Sequence, residues 1–334
     1  MPTTFASIIE HDAAVPTWFG IGGRADALAR PRTVEELRDL LLAFAGQPIR
    51  VLGDGANLLV DDGGVDGLVV SLGHLQRVEE SPDAANAEAG SEPTESGGAD
   101  ATDGDLDRPR WVGERVLLRV EAGANLPKLI VESVRNRLAG LEHLAGIPAT
   151  VGGAVFMNAG GAFGSVAPVV SRVHTLTYQG ASISIPRNQI AFDYRHSGLD
   201  HVIITGADLV LTRVSESEHP RLRRRLKEVM EYKKRTQPMA ERSAGCVFKN
   251  PTTQAGRVSA GMLIDQAGCK GKRVGGAEVS PVHANFIVTH PGCRARDILN
   301  LMQLVRERVR EKFYVTLEPE IAIWSRERQP FTPA

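Results

Sequence analysis

The chain has 334 residues, 42% of them apolar and 5% aromatic, and a formal charge of −1, the balance of an ordinary water-soluble domain with room for two or three lobes. Its three cysteines, Cys246, Cys269 and Cys293, form no C-x-x-C pair and no two histidines stand at metal-site spacing, so neither a zinc site nor a disulfide framework is expected.

Charge is unevenly placed. Residues 79–109 hold ten acidic residues and one basic, a local −9 that leaves +8 for the rest, which suits an anionic ligand. The start, "MPTTFASIIEHDAAVPTWFG", has no charged n-region followed by an apolar run, and no apolar stretch approaches ~18 residues. A cytoplasmic protein with reduced thiols, not bound to a membrane, is the expectation.

In chain order, "TVEELRDLLLAFAGQ" predicts an amphipathic helix with Thr33 as N-cap and Gly46 near its end. "IRVLGDGANLLV" reads as strand, glycine turn, strand, and "GLVVSL" as a further strand. Residues 81–109 contain one large aliphatic residue, Leu106, too little apolar surface to offset ordering, so a disordered acidic insert is predicted. It interrupts a folded unit, because the β-rich "RVLLRVEAG" beyond it also needs partners. Deleting the insert is expected to leave the stability and activity of the rest of the chain within about twofold, and loss of the folded state in the shortened chain would refute this.

"NLPKLIVESVRNRLAG" predicts a second helix, with Pro127 in its first turn, apolar residues at 130, 134 and 138, and Gly140 at its end. The segment 147–213 reads as short strands separated by Gly, Asn and Pro turns. "ESEHPRLRRRLKEVMEYKKRTQP" is a charged helix closed by Pro238, carrying Arg221, Arg223, Arg224, Arg225, Lys227, Lys233, Lys234 and Arg235. Without interleaved aromatics that basic run predicts no nucleic-acid partner. Strand "NFIVTH", a helix from about Arg294 to Phe313 and strand "LEPEIAIW" follow, giving an α+β chain in two parts with a boundary near 215.

Three glycine-rich turns, "FGIGGRAD", "GDGANLL" and "GIPATVGGAVFMNAGGAFG", match neither G-x-G-x-x-G nor the P-loop pattern. Each alone is more often a structural turn. Three in one β-rich lobe suit a ligand with a long phosphate bridge, since turn amides form nests for phosphate oxygens.

"GDGANLLVDDGGVDGLVV", "LEHLAGIPATVGGAVFMNAG", "FDYRHS", "SAGCVFKNP", "GMLIDQAGCKGKRVGGAEVSPVHANFIV" and "LEPE", in that order, resemble the MurB family of UDP-N-acetylenolpyruvoylglucosamine reductases. The resemblance runs from Trp18 to Trp324, the acidic insert excepted. It implies a vanillyl-alcohol-oxidase-like (PCMH-type) FAD-binding fold in two subdomains, 15–72 and 73–214, plus a smaller α/β substrate-binding domain, 215–325. It also implies non-covalent FAD, NADPH as cosubstrate, and reduction of UDP-N-acetylglucosamine enolpyruvate to UDP-N-acetylmuramate, a step of peptidoglycan precursor synthesis. No metal and no partner subunit are implied, so a monomer is expected. The flavin contacts it implies are Gly22, the run Gly53, Asp54, Gly55, Ala56, Asn57 and Leu58, then Gly146, Ile147, Pro148, Thr150, Val151, Gly152, Gly153, Asn158 and Ala159.

The same resemblance makes Arg195, Cys246 and Glu320 catalytic. A guanidinium fork suits a carboxylate that becomes enolate-like, although read alone Arg195 is as well explained by a structural ion pair. Glu320 polarises the substrate or assists proton delivery; Glu318 is its near neighbour across Pro319. Cys246 stands where most members carry the proton-donating serine, and a thiol, with a pKa of about 8.5, is the stronger acid. A nearby cation such as Lys249 would favour thiolate, which cannot donate. Tyr194, Lys249, Asn250, His283 and Asn285 are the implied substrate contacts or scaffold. Ala56, His290 and the insert also depart from the family pattern. Only "GLDH" separates Ser197 from the next strand, as in the family's shorter type, which lacks a tyrosine-bearing loop. Another FAD-dependent oxidoreductase of this fold, or a flavin-binding protein without catalysis, is the alternative.

Overall fold

The computed structural model describes residues 5, 7–81, 110–254, 256–327 and 331, so all of the acidic insert 81–109 but its first residue, Ser81, lies outside the described residues. The chain opens with β1 (Ile9–Ala14), β2 (Arg24–Ala29), α1 (Val34–Ala43), β3 (Ile49–Leu52), β4 (Leu58–Val60), β5 (Val65–Ser71) and β6 (Val78–Ser81). Next come β7 (Gly113–Glu121), α2 (Leu126–Arg135), β8 (Leu138–Ala139), α3 (Val151–Phe156), β9 (Gly160–Gly161), β10 (Gly164–Ser165), β11 (Val170–Thr177), β12 (Ser182–Pro186) and β13 (Val202–Val214). The remainder is α4 (His219–Thr236), β14 (Thr252–Thr253), β15 (Gly256–Arg257), α5 (Ala260–Gln266), β16 (Arg273–Val274), β17 (Ala277–Val279), β18 (Ile287–Thr289), α6 (Ala295–Phe313) and β19 (Ala322–Trp324).

These elements form two compact units. The first takes residues 1–9, 29–54 and 69–232; the second takes 10–28, 55–68 and 233–334. The first unit is built on a sheet in the order β12–β11–β13–β7–β6, with β8 added to β13, every pairing antiparallel. Its central strand β13 has ten consecutive buried residues from Val202 to Leu211. Successive strand side chains face opposite ways, so both faces of β13 are covered. Helix α1 starts where expected: the Thr33 hydroxyl accepts the Glu36 amide at 3.1 Å and the Glu36 carboxylate accepts the Arg32 amide at 2.6 Å.

Two expectations for this unit are corrected. Helix α2 begins at Leu126, capped by the Asn125 side chain accepting from Lys128, but stops at Arg135 rather than near Gly140. Arg137 turns left-handed (φ 63°) and Leu138 pairs with Arg213 of β13, so the third apolar position belongs to a strand. The segment 147–213 also holds helix α3 and the 13-residue strand β13, rather than short strands alone.

In the second unit Phe19, Phe248, Ile264, Leu301, Met302 and Leu317 are fully buried in one apolar cluster. Helix α6 supplies its Ile298, Met302, Val305 and Val309 face, residues that recur at the three-to-four spacing of one helical side. Asp62 receives the amides of Ala295 (2.9 Å) and Arg296 (3.0 Å), so a distant carboxylate satisfies the positive end of α6. Strand β19 runs parallel to β4, with Ala322 opposite Leu58, and β16–β17–β18 make a small antiparallel sheet.

Candidate active site

Arg195 lies in the first unit, at the tip of a tight hairpin. Asp193 and His196 exchange backbone hydrogen bonds (2.9 and 3.2 Å), leaving Tyr194 and Arg195 as the two turn residues. Arg195 takes the left-handed conformation, φ 56°, which costs a non-glycine residue roughly 1–2 kcal/mol. The position would suit glycine, so the side chain is kept at the expense of backbone comfort.

The surroundings hold that strained tip. The Asn158 amide donates to the Asp193 carbonyl at 2.9 Å and the fully buried Ser197 hydroxyl donates to the Phe156 carbonyl at 2.8 Å. The guanidinium donates to the Gly160 carbonyl at 2.9 Å and lies 5.2 Å from the centre of the Tyr194 ring. Sequence reading places Asn158 and Ala159 among flavin contacts; here Asn158 is buried, and its oxygen accepts the Ala167 amide while its nitrogen braces the hairpin. The Ala159 amide donates to the Ala154 carbonyl.

Cys246 and Glu320 lie in the second unit, where three chain segments run side by side. Cys246 bridges Phe286, Phe248 bridges Pro319, and the Glu320 amide donates to the Val247 carbonyl at 2.9 Å. The Lys249 amide donates to the Glu318 carbonyl at 2.8 Å. Both Cys246 and Glu320 are half-buried, whereas Glu318 is exposed. Gly245, at φ 76°, supplies the turn that brings the chain from buried Ala244 into this ladder, a conformation that explains the glycine before the cysteine.

Asn285 fastens the middle segment. It is buried, its oxygen accepts the Phe248 amide at 3.0 Å and its nitrogen donates to the Phe248 carbonyl at 2.8 Å. Its amide is thus consumed by the fold. Asn285→Ala removes both partners from a buried peptide group and is expected to cost about 2–4 kcal/mol, read as a lower urea midpoint. An unchanged midpoint would show that water replaces the amide. His283 accepts the Asn285 amide at Nδ1 (3.2 Å) and stands edge-on to Phe286, while the Asn250 side chain accepts the Ala260 amide at 2.8 Å.

The three thiols differ in setting. Burial, then the charges of Asp297 and Asp62, pushes Cys293 up to about 11, and burial raises Cys269. Both lie in the apolar cluster; Cys246 does not.

The glycine turns can be tested for a phosphate-bearing cofactor. In the 53–58 turn, Gly55 has φ 67°, and a Cβ there would stand 2.3 Å from the Pro16 carbonyl oxygen. Among the described residues, no hydrogen bond of the fold uses the amides of Gly55 or Ala56, so this turn retains donors for a phosphate. The first turn of α3 differs. The amides of Val151, Gly152 and Gly153 go to Ala124 O, Ala122 O and Thr150 Oγ, at 2.9, 2.8 and 3.2 Å. A Cβ on Gly152 would lie 2.7 Å from that of Ala122, so close packing against β7's end already requires this glycine. Asn57 ties the turn to the Cys246–Glu320 ladder, its side-chain amide donating to the Glu320 carbonyl (3.2 Å) and its backbone carbonyl accepting from Ala322 (2.9 Å). Gly22 and Leu58 also belong to the second unit; Gly53, Asp54, Gly146, Ile147, Pro148 and Thr150 belong to the first. The residues present therefore fit FAD best through the 53–58 turn.

Residues 25–93 and 103–185 match the family model of an FAD binding domain, and residues 237–324 match that of the UDP-N-acetylenolpyruvoylglucosamine reductase C-terminal domain. The UDP-N-acetylenolpyruvoylglucosamine reductase of Moorella thermoacetica is 40% identical over 311 residues, 92% of this chain and 89% of its own. That of Desulfosudis oleivorans is 38% identical over 97% of this chain and 96% of its own. The crystal structure of the Thermus caldophilus enzyme, MurB, aligns with TM-score 0.70 and 37% identity, covering 92% of this chain and 95% of that one. Identity of that extent along almost the whole length makes this chain a member of the UDP-N-acetylenolpyruvoylglucosamine reductase family.

Proposed function

We propose that the protein reduces the enolpyruvyl group of UDP-N-acetylglucosamine enolpyruvate, giving UDP-N-acetylmuramate. FAD, held at the 53–58 turn, would supply hydride transfer between NADPH and the terminal methylene carbon of that group. The chain's own residues manage charge and the proton. Arg195 pairs with the substrate carboxylate through its fork and stabilises the enolate-like charge that spreads onto it. The Cys246 Sγ donates its proton to the carbon next to the carboxylate. The Glu320 carboxyl group polarises the substrate or assists that transfer.

The observation that carries this reading is the ladder joining Cys246 to Glu320. Acid and carboxylate sit on neighbouring segments fixed by the Glu320–Val247 hydrogen bond and clamped by Asn285. Catalytic groups need that kind of support to stay within a productive geometry. Lys249 and Tyr194 supply polar contacts to the nucleotide sugar. Residues 15–72 and 73–214 make the two halves that hold the flavin, and 215–325 the substrate domain. The protein works as a monomer. No helix among the described residues is long and apolar enough to cross a membrane.

One experiment tests the whole. The purified yellow protein should bleach with NADPH under anaerobic conditions and regain its colour on addition of the enolpyruvyl nucleotide sugar. Bleaching without recovery would sink the substrate assignment while leaving the flavin in place.

A further inference from the structure

The first unit has a cavity of about 440 Å³ between the C-terminal turn of α2 and strands β6, β7, β8 and β13. None of the residues assigned above to flavin, substrate or catalysis lines it. Its charges are not balanced. Arg213 is engaged by both carboxylate oxygens of Glu80, at 2.8 and 2.9 Å, and Glu132 pairs with Lys128 at 3.9 Å. Arg135 and Arg137 also line the cavity, and among the described residues neither has a carboxylate partner.

A second observation points the same way. Ser133, on α2, lines the cavity and is 3% exposed, yet its hydroxyl has no hydrogen-bond partner among the described residues. A helical serine usually satisfies its hydroxyl on the carbonyl one turn back. Leaving it unpaired in the interior is unfavourable, and an alanine would fill the same space without that penalty. The backbone at Arg137 is also held left-handed (φ 63°), a strained state for arginine that turns the chain at the end of α2. The terminal carbonyls of Glu132 and Val134 accept the Asn136 and Arg137 amides, which blunts the negative end of the helix toward an anion.

We propose that this cavity binds a small phosphomonoester, its phosphate held by Arg135, Arg137 and the Ser133 hydroxyl. Two guanidiniums and a hydroxyl match three terminal phosphate oxygens, whereas a carboxylate has only two. The volume far exceeds one phosphate, and Leu118, Leu129 and Leu138 offer an apolar wall for the rest of the molecule.

The test is isothermal titration of the full-length flavoprotein with glycerol 2-phosphate, using acetate as the carboxylate control. Saturable binding of one equivalent is expected, stronger than that of acetate. The Arg135→Ala/Arg137→Ala variant should bind at least about tenfold more weakly while keeping its flavin. Ser133→Ala should also bind more weakly, yet melt at a higher temperature than wild type when no phosphate is present. That opposition of affinity and stability is not expected of a merely structural serine. Absence of saturable binding, preference for acetate, or unchanged affinity in either variant overturns the proposal; unchanged affinity would place the phosphate in the flavin or nucleotide site instead.

Discussion

Cys246→Ala should be reduced by NADPH at the wild-type rate and then fail to pass the electrons on, its reoxidation by substrate slowed ~10³-fold. Alanine fits the space and leaves the ladder through Val247 and Phe248 intact, so flavin content should not change. Cys246→Ser should remain active, because a hydroxyl there is a weaker acid in the same place. The two active forms should differ in pH dependence. A thiol that must donate a proton loses activity as it ionises, so wild type should show an alkaline decline that moves to higher pH, or vanishes, in the serine variant. Cys269 and Cys293 are poor alternative sources of that decline, since burial raises the first and takes the second to about 11. Rapid mixing of reduced alanine variant with substrate is the deciding measurement, and wild-type reoxidation there would remove Cys246 from the mechanism.

Arg195→Lys should divide the half-reactions in the same sense, with substrate-driven reoxidation falling ~10²–10³-fold and flavin reduction nearly unchanged. Lysine keeps the charge but loses the planar fork, and with it the guanidinium's bond to the Gly160 carbonyl and its contact with the Tyr194 ring. Removal of the Asn158 brace should produce a milder version, because the hairpin would survive on its own backbone bonds while its tip wandered. Equal slowing of both half-reactions by the lysine variant would mean that Arg195 serves the flavin or the fold.

Much of this was legible in the sequence where local chemistry decides. The Thr33 cap, the apolar face of α6 and the close of α4 before Pro238 follow from periodicity and termini. The proposed roles of Arg195, Cys246 and Glu320 rest on the family motifs. The failures come from tertiary competition. Leu138 extends the 130/134 spacing convincingly, yet pairing with Arg213 offered it a strand and ended α2 early. Helix α3 was hidden because Gly152 and Gly153 weaken any helical pattern, and the demand for Gly152 comes from Ala122, distant in sequence. The left-handed backbone of Arg195 has no signature in residue type. The burial and paired side-chain hydrogen bonds of Asn158 and Asn285 have no signature in residue type either, since an asparagine serves a ligand or a scaffold with the same groups.

The parallel pairing of β4 with β19 bears on the order of events at the ribosome. Leu58–Val60 leave the exit tunnel more than 250 residues of synthesis before the strand that pairs with them, Ala322–Trp324. Throughout that interval the buried Leu59 and Phe19 of the finished unit have no partner from the C-terminal cluster. The Asn57 carbonyl likewise awaits Ala322. A nascent chain stalled after residue 300 should therefore be cut readily by protease within 10–28 and 55–68, and one stalled well after release of residue 327 should resist. Protection at the earlier stall would show that a chaperone or another segment covers these strands first. The Glu320 carboxylate thus reaches its place in the same step that pairs β19 with β4.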